Sequence, residues 1–175
     1  MKQTLKVATL LSLSTATLFA SGYRIPEQSL NSVALSAAYV ASANGADASY
    51  YNPANMAFMA EGGYIETSLT YINLPKVDYT DSNAARNGDS KEENFLLPNL
   101  HYVSPMVGNW RYGLSIVAPA GLSKRWDESY QMRSSEEFTL KVIEINPTAS
   151  YKVNDAFALG FGLRGVYTTG VIKNQ

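Results

Sequence analysis

The chain has 175 residues, a formal net charge of −1 and no cysteine. So slight a charge offers no field for nucleic-acid phosphates, and without cysteine no disulfide can staple a small secreted core. Only 17% of the residues are charged, while tyrosine and glycine number 12 each; that mixture suits strands whose two faces meet different solvents.

Lys2 and Lys6 precede a short apolar stretch from Val7 to Ala20 that ends in small residues. It is too short to cross a bilayer, which needs about 20 residues, and reads as a secretory signal peptide over 1–20. Cleavage is placed after Ala20; a cut after Gly22 would satisfy the small-x-small rule through Ala20-Ser21-Gly22. The bland alternative is a buried N-terminal helix.

Residues 21–60 are rich in small side chains. The spacing predicts a short, closely packed helix around Ser29–Ala43, broken at Asn44-Gly45. A second helical turn is expected from Asn52-Pro53, since asparagine caps helices well and proline loses nothing at the first helical position. Neither helix has a wide apolar stripe, so this segment is expected to pack inside something larger.

Over 61–175 the period becomes two. In Tyr64–Leu74, Ile65, Leu69 and Tyr71 alternate with Glu66, Ser68 and Thr70. Trp110, Tyr112, Leu114 and Ile116 oppose Arg111, Gly113 and Ser115. Ile143, Ile145, Ala149 and Tyr151 oppose Glu144, Asn146, Thr148 and Ser150, with Pro147 hinting at a bulge. Phe157, Leu159, Phe161, Leu163 and Tyr167 oppose Ala158, Gly160, Gly162 and Arg164. Such alternation marks strands with one apolar face.

A soluble sandwich alternates too, so length and connections decide. These runs reach about 10 residues, as a tilted membrane strand requires, against about 5–6 in globular sheets. The connections also alternate: Pro75–Asn94 and Gly121–Glu137 are long and polar, Pro105–Asn109 and Val153–Asp155 short. Short periplasmic turns with long extracellular loops are the mark of outer-membrane barrels. Trp110, Tyr112, Tyr151 and Phe157 stand by the short turns, where an aromatic girdle belongs. The predicted fold is therefore all-β membrane: the N-terminal part of an antiparallel outer-membrane β-barrel with a small helical plug.

Glu66, Arg111, Glu144 and Arg164 are expected to face the lumen, because a charge facing lipid at mid-depth costs about 2–4 kcal/mol. They either fill the interior as an ionic network or line a solute path. An enzymatic role is not expected: His101 and Ser104, three apart on a strand, point to opposite faces. One histidine and no cysteine build no metal centre, and no cofactor is expected.

Several segments, in order, resemble the FadL/TodX family of outer-membrane transporters for long-chain fatty acids and aromatic hydrocarbons. Gly22-Tyr23 is similar to the family's start of the mature chain. Asn31–Asn55, with Ala46-Asp47-Ala48 and then Asn52-Pro53-Ala54, resembles its plug, or hatch. Pro98–Pro105 resembles its second strand, Tyr112–Ile116 with Ala120-Gly121-Leu122 its third, and Asn146–Tyr167 its fourth and fifth.

The resemblance implies a monomeric barrel of about fourteen strands, placed in the outer membrane by the assembly machinery and plugged by residues 21–60. It implies passive uptake of a hydrophobic small molecule, captured in the barrel and released sideways into outer-membrane lipid as the hatch moves. Asn52, Pro53 and Ala54 would hold the end of the hatch. Glu66, Arg111, Glu144, Arg164 and Lys173 are the lumen and ligand-path candidates. Fatty-acid members carry a cation that meets the ligand carboxylate at a place matching Asn174, with Lys173 beside it; this departure weakens the fatty-acid reading against a neutral hydrocarbon, and both stay open. Five strands are about a third of such a barrel, so the 175 residues are expected to be a piece of a longer protein. The alternative is a structural or adhesive barrel without transport.

Overall fold

The computed structural model describes residues 24–175; the predicted signal peptide lies outside them. Strands β1 (Tyr64–Leu74), β4 (Glu93–Val103), β5 (Trp110–Arg125) and β6 (Glu137–Asn154) form an antiparallel meander, and β6 then pairs with both β7 (Phe157–Gly162) and β8 (Gly165–Lys173). The first long loop carries a two-residue hairpin, β2 (Asp78–Tyr79) with β3 (Gly88–Asp89); the second carries a helix, Ser129–Ser135. Among the described residues no helix is long and apolar enough to cross a membrane.

The strands run longer than the alternating pattern alone indicates. β5 continues to Arg125 and β6 begins at Glu137, so the second long connection shrinks to 126–136. One short turn closes with Gly108 at φ 62°, where Val107 bridges Trp110. The other is Asp155-Ala156, with the Ala156 N–H donating to Asn154 Oδ1.

β7 and β8 are one strand. Thr148 faces Gly162 and Ile145 faces Gly165, so the register passes unbroken across Leu163-Arg164. The ladder lapses there because the opposite residue is Pro147, whose carbonyl accepts from the Leu163 N–H at 3.0 Å but which has no N–H to return. The bulge expected at Pro147 is therefore absent: β6 is continuous. An extra residue sits in β5 instead, between Val117 and Ala120, and another one-residue shift falls at the end of β6, between Lys152 and Asn154.

The two faces of the sheet invert the usual order of a soluble protein. Buried on one face are Arg111, His101, Glu144, Ser115, Asn146 and Ser150. Exposed on the other are Ile65, Leu69, Tyr71, Tyr102, Ile143, Ile145 and Phe161. An apolar outer face over a polar inner one is what a lipid-facing wall requires. Trp110 packs on Tyr112, Tyr151 and Phe161 at the short-turn end.

Residues 24–62 lie against the polar face. The helix predicted over Ser29–Ala43 is only α1 (Leu30–Ala34). Ser29 opens it with a reciprocal capping box. Ser36 and Ala37 then end it at φ 49° and 65°, with Ala37 N–H to Ser32 O and Ser36 N–H to Val33 O forming a Schellman closure. A single 3-10 turn, Val40–Ser42, leads to α2 (Ala48–Tyr51) and a second 3-10 helix, Pro53–Phe58. Asn52 precedes Pro53 as expected, but its side chain makes no capping bond; its backbone carbonyl accepts from Asn55 instead. Tyr39, Ala43, Ala48 and Met56 bury a small core against Val103 of the wall.

Candidate functional site

β4 and β5 pair only from Leu100–Ile116 down to Val103–Gly113, although β4 runs on to Glu93 and β5 to Arg125. Above Leu100 the seam is open. It closes again at the long-loop end, where Lys91 N–H donates to Arg125 O at 2.8 Å and Ser123 Oγ to Glu93 Oε1 at 2.7 Å. The β5 bulge lies along one margin of the gap, and each margin carries a proline, Pro98 and Pro119, that lacks an N–H to bridge it. The opening holds a cavity of about 370 Å³ lined by Phe95–Pro98 on one side and Ile116–Ala118 and Ala120–Ser123 on the other, with Thr139–Ile143 of β6 behind. The lining is apolar but for Ser123, Thr139 and Lys141.

Unpaired backbone groups in a membrane wall are costly, and the N-terminal segment meets part of that cost. Ile25 N–H donates to Pro119 O at 2.8 Å, within the bulge itself. At the foot of the gap, Asn99 Nδ2 donates to Gln28 O at 3.2 Å while its Oδ1 accepts from Ala118 N–H at 3.4 Å. His101 Nε2 also lies 2.9 Å from Gln28 O. Its Nδ1 is 3.0 Å from Ser115 Oγ, which is 2.7 Å from Ser49 Oγ on α2. The one histidine thus ties segment to wall through Ser115; Ser104 turns away to bond Pro105 O and Tyr112 N–H.

The predicted lumen charges part company here. Arg111, fully buried, spends all five N–H donors on backbone carbonyls: Ser104, Met56, Met59, Ala60 and Gly62, at 2.7–2.9 Å. Its charge is met by carbonyl dipoles, and its guanidinium also lies over the Tyr64 ring. It is a clamp on the end of the helical segment rather than a group facing a solute. Glu144, also fully buried, lies 2.9 Å from Arg24 Nη2 and 3.4 Å from Arg164 Nε. Neither guanidinium aims an N–H squarely at the carboxylate, so this attraction is charge on charge rather than a bidentate pair. Arg164 also stacks over Tyr50. Glu66 stands opposite His101 in register, half-buried beneath Gly45. Lys173 is elsewhere: it shares a face with Tyr167 and Val171 and bonds Glu137 at 2.7 Å at the long-loop end.

Asn52, Pro53 and Ala54 meet the wall at a glycine. A Cβ added to Gly160 would stand 2.3 Å from Ala54 N and 2.8 Å from Pro53 C. A Cβ on Gly113 would stand 2.6 Å from Ser49 Cβ and 2.8 Å from Met56 Sδ. Two strand positions without side chains therefore form the seat on which the segment rests. Sequence reasoning missed this seat, Arg24, and the Asn99–His101–Gln28 junction. The pairing of His101 with Ser115 could have been found by counting back from the short turn at Pro105–Asn109.

The family described as "Outer membrane protein transport protein (OMPP1/FadL/TodX)" matches residues 11–175. The chain belongs to this family. FadL-family proteins are outer-membrane transport proteins, and the sheet is accordingly part of an outer-membrane β-barrel. The chain is 26% identical to the long-chain fatty acid transport protein of Salmonella typhi over 70% of its own length and 28% of that protein's. It is 25% identical to outer membrane protein P1 of Haemophilus influenzae, covering 93% of the chain and 41% of the relative. The crystal structure of a Pseudomonas aeruginosa FadL homologue superposes with a TM-score of 0.64 at 23% identity, over 87% of this chain and 39% of that one. The chain thus spans well under half the length of these relatives.

Proposed function

We propose that the protein to which these residues belong takes up hydrophobic molecules, long-chain fatty acids or hydrocarbons, passively across the bacterial outer membrane. Solute is captured in the barrel, and residues 24–62 act as the hatch whose movement releases it sideways through the gap between β4 and β5. The observation that carries the reading is that gap: an apolar break in the wall, backed on the lumen side by the hatch. A water-filled pore gains nothing from an apolar solute, whereas an apolar exit recovers about 25 cal/mol for each Å² removed from water. Outer-membrane lipid is then the receiving phase, and no energy source is needed beyond partition. Asn52, Pro53 and Ala54, on their glycine seat, hold the hatch end in place.

Deleting Pro119 tests this, because it removes the residue by which β5 exceeds β6 at the margin of the gap. In a strain lacking the chromosomal gene and carrying the full-length one, the deletion should abolish uptake of labelled oleate and of a labelled alkane, with unchanged amounts of folded barrel. Uptake equal to that of the unaltered protein would favour a structural or adhesive barrel.

A further inference from the structure

We propose that Arg24, Arg164 and Glu144 form a charge-exchange latch: the anionic head group of an amphiphile replaces Glu144 as the partner of Arg24, and so frees the start of the hatch from the wall. This rests on the transport reading above and names the chemistry that triggers it.

The charge count comes first. Two guanidiniums share one carboxylate, so this cluster itself carries an excess of one positive charge. Glu144 is wholly buried, held between Arg24 and Arg164. A single incoming anion restores balance, with Glu144 on Arg164 and the newcomer on Arg24. The exchange leaves no buried charge alone, which would otherwise forbid it.

Place comes second. Glu144 pairs in register with Val117, at the lower margin of the β5 bulge. Val117, Val142 and Ile143 around it line the apolar cavity in the gap. An amphiphile can therefore lay its chain in the cavity with its head at the excess charge. Arg164 is held ready by the Tyr50 ring, in the stretch where the strand ladder lapses opposite Pro147.

Coupling comes third. Arg24 adjoins Ile25, whose N–H bond to Pro119 O helps cover the gap. The N–H groups of both arginines are poorly aimed at Glu144, so an anion free to choose its geometry competes on favourable terms.

The test is amide exchange in the full-length protein in lipid nanodiscs, read at Ile25 and Gln28, with oleate or uncharged oleyl alcohol as probe. Oleate should speed exchange there by roughly five- to tenfold, the weight of one partly screened ion pair, and oleyl alcohol should leave it unchanged. Glu144→Gln and Arg24→Gln should each exchange that fast without ligand, with oleate adding nothing. Amides of Met56–Gly62, clamped by Arg111, should stay protected throughout and so report an intact fold. Equal acceleration by the alcohol, or slow exchange at Ile25 in both variants, overturns the latch. Failure of the transport reading is distinct: wild-type cells would then take up neither compound.

Discussion

The two ends of the helical segment are fastened to the same wall by different means. Its far end, 52–62, is held by a buried guanidinium with every donor engaged and by Gly160, against which backbone packs with no room to spare. Its near end, 24–29, rests on one backbone bond to Pro119, polar contacts from Asn99 and His101 that share the Gln28 carbonyl, and an ill-aimed ion pair. The first set is irreplaceable, because no water or neighbouring side chain can supply five converging donors in a closed site. The second set consists of contacts that water, lipid or ligand can substitute. In the hatch movement proposed above, a part fastened firmly at one end and exchangeably at the other would pivot rather than leave.

Arg111→Met tests the firm end most severely. It strands the carbonyls of Met56, Met59, Ala60 and Gly62 in a buried place, and should cost about 3–5 kcal/mol, read from the urea midpoint of the full-length barrel in detergent. Arg111→Lys should recover only part of that loss, since an ammonium has three donors and no fork. Equal stability of the methionine variant would show that the clamp is dispensable.

Gly160→Ala comes next. The new methyl meets the backbone of Pro53 and Ala54, which cannot step aside as a side-chain end would. A cost of about 1–3 kcal/mol is expected, as for overpacking elsewhere, together with faster amide exchange at Asn55. Gly170→Ala is the matched control further along the same strand, with nothing within 4 Å of its added carbon; it should stay within about 0.5 kcal/mol of the parent.

The wall was legible from the residues because a strand's period of two displays its two solvents directly. Ile143 and Ile145 against Glu144 and Asn146 can be read without coordinates. The seam was not, because a bulge is one extra residue, and Val117–Ala120 is uniformly small or apolar with no alternation to be seen slipping. Two prolines stood in similar contexts. Pro147 keeps its place in register, and only the facing strand loses a bond; Pro119 sits in the bulge itself. Arg111 was read as facing inward, yet its work stayed hidden, because all its acceptors are backbone carbonyls that leave no trace in the residue types. The Asn52-Pro53-Ala54 turn was visible as a motif. Its seat at Gly160 depends on a strand far along the chain and became visible only through packing.

Pro53→Gly separates the turn from its seat. It keeps the close approach to Gly160 but releases the fixed φ that presets the 3-10 helix, a loss of about 0.4–1 kcal/mol through the unfolded chain. Barrel abundance should hold while uptake falls. Equal uptake at equal abundance would reduce the motif to local capping.

Asn99→Ala addresses the exchangeable end and should have the smallest effect on stability. Gln28 O keeps its contact with His101, and the bond from Ala118 is already long at 3.4 Å, so a loss of about 0.5–1 kcal/mol is expected. The consequence should instead be local. Asn99, on β4, touches both the bulge in β5 and the helical segment, so its removal should raise amide exchange at Ala118 and Ile25 while Met56–Gly62 stay protected. A uniform rise along 24–62 would mean that the segment moves as one body and that its two ends do not differ. A rise confined to the near end would place the pivot at Arg111.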